Sequence, residues 1–286
     1  SKSEETTAAP EAEVQEETEG EAEASEDGEE ISGGAIGGMV TDDGEYIEEV
    51  FVDGKITRIE GDVVTIASSE GSTLSFDISG AGVTAEERAD ILEGAYVETA
   101  YLDAPDAQQP YASSYMIVLM NLEEQADAEG VNPTFSGTIT YVDINEIIMR
   151  DANGAEVSFD NSMARDVTFS TVAAGAKAQV TYMGSIYRDN QISTEEGTGS
   201  GTPVAIKVVT EDAVNSEEAA ANYIAGPVSD ITEDTITVDT SYASFTFNAD
   251  PSMLSGIEQE NSVTVYYEGA LSDERSVQAV SITKGA

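Results

Sequence analysis

Apolar residues recur with one fixed spacing at three places in the chain. In GKITRIEGDVVTI they stand two, five, ten and twelve residues after Gly54, at Ile56, Ile59, Val64 and Ile66. GTITYVDINEIIM repeats the spacing from Gly137, with Ile139, Val142, Ile147 and Met149. GPVSDITEDTITV repeats it from Gly226, with Val228, Ile231, Ile236 and Val238. The last two positions lie two apart, the period of a strand with one face buried. The polar gap before them, such as EGDV or TEDT, is turn chemistry. Each phrase therefore predicts a hairpin.

The correspondence continues downstream. A third strand is predicted at Leu74-x-Phe76, Val157-x-Phe159 and Phe245-x-Phe247, each followed by a turn-forming Asp or Asn. Asn153-Gly154 is a strong two-residue hairpin signal. A short helix follows in the first copy, where Thr84 and Glu87 make a capping box ahead of Ile91 and Leu92. In the third copy Asp250 caps an N1 proline, Pro251, with Met253, Leu254 and Ile257 facing inward. The second copy has no clear helix. A fourth strand is predicted at Val97-x-Thr99-x-Tyr101, Ala178-x-Val180-x-Tyr182 and Val263-x-Val265-x-Tyr267, and a fifth at Ile117-x-Leu119, Ile206-x-Val208 and Val280-x-Ile282. Alternation throughout implies one buried and one wet face.

The chain thus divides into three copies of one small domain, at 51–122, 135–210 and 223–286. The fold class is all-β: three tandem five-stranded barrels of order β-β-β-α-β-β, which is the OB-like order. The opening glycine suits a sharp strand bend around a barrel. The connectors LEEQADAEGVNPT and EDAVNSEEAAAN are polar and read as inter-domain linkers. Residues 1–46, rich in Glu and then Gly, read as a disordered acidic spacer.

The G-x-[IV]-x-x-[IV] openings at Gly54, Gly137 and Gly226 and the V-x-V-x-Y strand from Val263 to Tyr267 resemble the tandem OB-like barrel repeats of bacterial secreted proteins and surface lipoproteins. The resemblance implies a fold and no catalytic residue. It also implies that the acidic leader is the spacer of a lipid-anchored, extracellular protein tethered to the surface of a Gram-positive bacterium.

Charge changes the picture of partners. The 286 residues carry 57 Asp and Glu against 11 Lys and Arg, a net −46. Such a field repels phosphate backbones, so no nucleic acid partner is expected. A membrane is expected only through a lipid anchor lying outside this chain. Calcium is compatible with the acidity, although Thr41–Glu45 and Asp151–Gly154 lack the ligand pattern of a twelve-residue calcium loop. No cofactor, metal site or catalytic residue is expected. Without His or Cys the commonest general base and the thiolate ligands are missing.

Tyr101, Tyr182 and Tyr267 read as core or rim tyrosines. The loops between strands four and five differ most between copies and lie beside the usual OB ligand face. Tyr111, Tyr115, Tyr187 and Arg188 are therefore the candidate contacts for a glycan, peptide or surface protein. The expected role is a non-enzymatic, surface-anchored binding or structural module. The alternatives are a calcium-dependent adhesin or glycan-binding protein, and a carboxylate-based hydrolase or its accessory domain.

Overall fold

The structure, a computed structural model, describes residues 38–40, 46–102, 111–188, 191–193 and 201–285. The spacer expected at 1–46 lies almost wholly outside these residues. Barrel 1 opens with a short strand β1 (Gly38–Val40) paired to the long β2 (Tyr46–Glu60). It continues through β3 (Val63–Ser68), β4 (Thr73–Asp77), helix α1 (Ala85–Asp90), β5 (Tyr96–Leu102) and β6 (Ala112–Leu119). The strand order is β2-β3-β4-β6-β5, and β5 pairs back onto β2 to close the ring. α1 begins at the capping box read from the sequence, Thr84 with Glu87.

Helix α2 (Leu122–Glu129) leads to barrel 2: β7 (Thr134–Val142), β8 (Glu146–Arg150), β9 (Glu156–Asp160), β10 (Arg165–Val167), β11 (Lys177–Met183), the hairpin β12 (Tyr187–Arg188) with β13 (Gln191–Ile192), and β14 (Val204–Thr210). A short strand, β10, stands where barrel 1 has its helix, and it pairs in parallel with β14. A 3-10 turn and helix α3 (Glu217–Ala220) precede barrel 3: β15 (Tyr223–Ile231), β16 (Thr235–Asp239), β17 (Ser244–Asn248), β18 (Ser262–Glu268) and β19 (Val277–Lys284). Barrel 3 closes in the same order, β15-β16-β17-β19-β18. Its Asp250–Pro251 signal gives one 3-10 turn, with Leu254 buried.

Three features explain why the opening phrase recurs. A Cβ on Gly54, Gly137 or Gly226 would stand 2.2, 2.3 or 2.0 Å from the carbonyl oxygen of Ala67, Arg150 or Asp239 on the next strand. Only a hydrogen fits where the two strands close on each other. The register then slips by one residue, so that Thr57, Thr140 and Ser229 are β-bulge residues. The bulge is why the apolar positions two and five residues after the glycine both face inward although their spacing is odd. Each bulge residue carries a hydroxyl, which donates to Thr65 O, Ile148 O or Thr237 O at 3.2, 3.3 and 3.5 Å.

Each core also repeats one aromatic pair. Phe76 meets Tyr101, Phe159 meets Tyr182 and Phe247 meets Tyr267, with ring centres 5.5, 5.2 and 5.9 Å apart. The recurring tyrosines are core residues in barrels 2 and 3 and partly buried in barrel 1.

A second bulge, also repeated, falls on the last strand, at Tyr115, Ile206 and Val280. In barrel 2 it puts Ala205 and Val208 into that barrel's own core and turns Ile206 outward. There Ile206, Val204 and Met183 join the core of barrel 3. Every residue of β14 is buried as a result, which corrects the expectation of one wet face. Both polar connectors are folded. Asn121 and Glu124 form a capping box on α2, and Asn132 pairs with Leu271 of barrel 3 through both backbone groups, at 2.7 and 3.1 Å.

The substitution Gly226→Ala will cost about 1–3 kcal/mol through the forced separation of β15 from β16, read as a lowered midpoint in urea unfolding. Gly80→Ala, where a Cβ meets nothing within 4 Å, will leave the midpoint unchanged.

Candidate functional site: an acidic groove on barrel 1

The outer faces of β2, β5 and β6 meet α2 along a groove of about 630 Å³, lined among others by Asp53, Glu98, Val118, Leu119, Glu124 and Asp127. The register sets Asp53 directly opposite Glu98, and Glu98 directly opposite Val118. Facing carboxylates on paired strands repel each other. Burial, then Glu124 and Asp53, raise the Glu98 carboxyl above its ordinary value. Asp53 is fixed by the Ser69 hydroxyl, which donates to it at 2.6 Å. Glu124 is fixed because its carboxylate accepts the Asn121 amide at 2.7 Å.

Among the described residues no cation pairs with these carboxylates. Arg58, Arg88, Arg150, Arg165 and Lys177 pair with Glu60, Asp62, Glu156, Glu218 and Glu211. Lys55 lies over the Tyr96 ring, 5.4 Å from its centre. The Tyr96 hydroxyl donates to Glu129, and that bond is the main reason its pKa is pushed up to about 12. Val118 and Leu119 are 45% and 41% exposed along the same groove. The site offers an ammonium or guanidinium group several carboxylates, and offers its methylene stem an apolar wall.

The usual OB ligand face, on the second and third strands, is furnished differently. Thr65 bonds Ser75 and Thr237 bonds Thr246, both at 2.9 Å, and Ser158 donates to Glu146 at 2.6 Å. These are short polar side chains bonded to one another, with no row of aromatics.

The four residues expected to bind a ligand are not brought to the groove. Tyr115 is the exposed bulge residue of barrel 1, and Tyr111 precedes the same strand, also exposed. Tyr187 packs against the barrel 2 core, and its hydroxyl accepts the Leu122 amide at 3.4 Å. Arg188 follows it, exposed, in register with Gln191. Parts of the loops on which the expectation rested, 103–110, 189–190 and 194–200, lie outside the described residues, as does Thr41–Glu45. Asp151–Gly154 is a turn, with Asp151 Oδ1 accepting from Asn153 N and Ala155 N. The groove residues escaped notice because they are far apart in sequence. Their signal was the presence of acids at wet positions of strands that pair, Asp53 and Glu98.

No protein-family model and no curated protein matches the chain. Among solved structures it is similar to Drosophila Unr CSD456, with 12% identity over 84% of this chain and 99% of that one and a TM-score of 0.20. It is also similar to a multidomain protein with nucleic acid binding domains from Streptococcus pneumoniae, with 9% identity over 80% of this chain and 72% of that one and a TM-score of 0.20. The strand pairing itself establishes the tandem OB-like barrels.

Two expectations are corrected. A net charge is no ground for excluding nucleic acid, and one of these likenesses is to a protein with nucleic acid binding domains. That exclusion is withdrawn, together with the glycan, peptide and surface-protein partners set in its place. The surface-anchored module is withdrawn too, with its adhesin, glycan-binding and hydrolase alternatives. The physical fault was to read partners from a net charge. Net charge is a sum over the whole chain, whereas binding is decided by local arrangement. In this acidic chain two cations, Arg165 and Lys207, stand directly opposite each other in barrel 2.

Glu98→Gln will stabilise the fold by about 0.5 kcal/mol at neutral pH, the scale of one like-charge cross-strand pair partly screened by water. The raised Glu98 carboxyl binds its proton more readily folded than unfolded. Stability from this group is therefore full at low pH and lost as pH rises through the folded pKa. The gain from Gln will be present at pH 7 and will vanish in acid, as urea midpoints of the two proteins will show.

Proposed function

We propose that the protein is a non-enzymatic binding protein whose partner is a basic protein, engaged through the acidic groove of barrel 1. The observation that carries this reading is the facing pair Asp53 and Glu98, held in register by paired strands and, among the described residues, in no ion pair; the nearby Lys55 lies over the Tyr96 ring instead. A chain that keeps like charges together at a cost has a place for an opposite charge to relieve it. Glu124 and Asp127 on α2 widen the target, and Val118 and Leu119 add apolar contact for the stems of Lys or Arg. The absence of His and Cys supports a role in binding and not in catalysis.

The test is titration of the full chain with a short poly-L-lysine, in parallel with a single-stranded oligonucleotide. The acidic N-terminal segment is common to wild type and variant, so the difference between them isolates the groove. The double variant Asp53→Asn, Glu98→Gln will bind poly-lysine roughly tenfold more weakly, and the difference will shrink as salt is added. Equal binding by wild type and variant, or tighter binding of the oligonucleotide than of poly-lysine, would overturn the reading.

A further inference from the structure

The cations of barrel 2 form an arrangement unlike any other among the described residues. β10 and β14 run in parallel and set Arg165 directly opposite Lys207. Facing like charges destabilise a sheet, and here Lys207 is only 7% exposed. Among the described residues one carboxylate answers them, Glu218, which accepts from Arg165 at 2.9 Å. The rest of the compensation comes from backbone oxygens of the connector to barrel 3 and from the Asn222 side chain. Lys207 Nζ donates to Ala219 O at 2.6 Å, to Ala221 O at 3.2 Å and to Asn222 Oδ1 at 3.3 Å. Arg165 donates to Glu218 O and to Ala221 O. These carbonyls stand at the C-terminal end of α3, where a helix leaves its oxygens without helical partners.

The same connector is held from the other side. Tyr223 lies under the Arg165 guanidinium, 4.1 Å from ring centre to carbon, and its hydroxyl donates to Glu218 at 2.5 Å. Tyr266 packs beside Tyr223, with ring centres 5.2 Å apart. Asn222 O accepts the Tyr267 amide of barrel 3 at 3.1 Å. Residues 217–222 are thus bonded to barrel 2 through two cations and to barrel 3 through a strand.

We propose that residues 217–222 form a proton-linked latch: loss of one proton from Lys207 relieves its opposition to Arg165 while the amine keeps the connector on barrel 2, and the Asn222 carbonyl, on the Tyr267 amide, holds barrel 3 to the connector. Removing that proton abolishes the charge opposition with Arg165. It still leaves two N–H donors for the carbonyls of Ala219 and Ala221 and gives up the third bond, to Asn222 Oδ1. Among the other groups that face Lys207, Glu218 favours the charged form, while Asn222 and the Tyr223 phenol are neutral. Burial, then Arg165, bring the Lys207 ammonium down to about 8, against an opposing pull from Glu218. Since the folded pKa lies below the unfolded value, the unfolded chain holds a proton that the folded chain has released. Stability therefore rises with pH across the window between the two values. The raised phenols of Tyr182 and Tyr267 act only at higher pH.

The test follows the ε-carbons of the five lysines by NMR through an alkaline titration of the full chain. Lys207 is expected to titrate near 8, well below the ordinary lysine value, and to move upward in Arg165→Met. A Lys207 midpoint in the ordinary lysine range, or one indifferent to Arg165→Met, would overturn the latch. Urea unfolding gives a second reading: the wild-type unfolding constant will fall roughly 30-fold between about pH 7 and 9.5. Lys207→Met will abolish that dependence. The same pH dependence in both proteins would overturn the latch as well.

Discussion

The two-sided burial of β14 is the constraint on which the other inter-barrel features depend. One strand supplies Ala205 and Val208 to the core of barrel 2, and Val204 and Ile206 to the core of barrel 3. A regular strand could not divide its side chains in this way, because residues two apart share a face. The bulge at Ile206 breaks that rule once, so that Ala205 and Val208, three apart, face the same core. The same bulge occurs in barrels 1 and 3, where Tyr115 and Val280 are 39% and 46% exposed, against 4% for Ile206. The backbone device belongs to the repeat, and its use as a joint belongs to barrel 2 alone. Burying this face then brings Lys207 under the connector, since Lys207 has nowhere wet to go.

Much of this was legible in the sequence. Five strands per copy, their order and the capping box at Thr84 follow from alternation and cap chemistry, which act over a few residues. The bulges were not legible, because an inserted residue changes the phase of the alternation without changing composition. Their trace was present in the third position after each opening glycine, always Thr or Ser: Thr57, Thr140 and Ser229. The joint was hidden behind an assumption of one wet face. The run Val204-Ala-Ile-Lys-Val-Val209 is nearly continuous in apolar residues, which is the signature of a strand covered on both sides. Polar composition also misled at the connectors. Asn121 and Glu124 spell a helix start as clearly as Thr84 and Glu87 do.

Charge shows the same contrast between sums and places. A net −46 describes the far field and its salt dependence, but it does not locate a site. Two local arrangements do more. On barrel 1 the register opposes Asp53 to Glu98, and among the described residues neither is in an ion pair. On barrel 2 it opposes Arg165 to Lys207 and answers them with a connector. The first is the site proposed for a partner, whereas the second is answered within the chain. In both, strand register made neighbours of residues that the sequence keeps apart.

Native-state hydrogen exchange of the full chain under increasing urea tests the shared strand most directly. The amides to follow are those of β11 and β14 in barrel 2 and of β18 and β19 in barrel 3. If β14 belongs to both cores, the protected amides of the two barrels will exchange through one common opening, with the same free energy and the same urea dependence. If barrel 3 opens at lower urea while β14 stays protected, the two barrels are independent and β14 serves only one core.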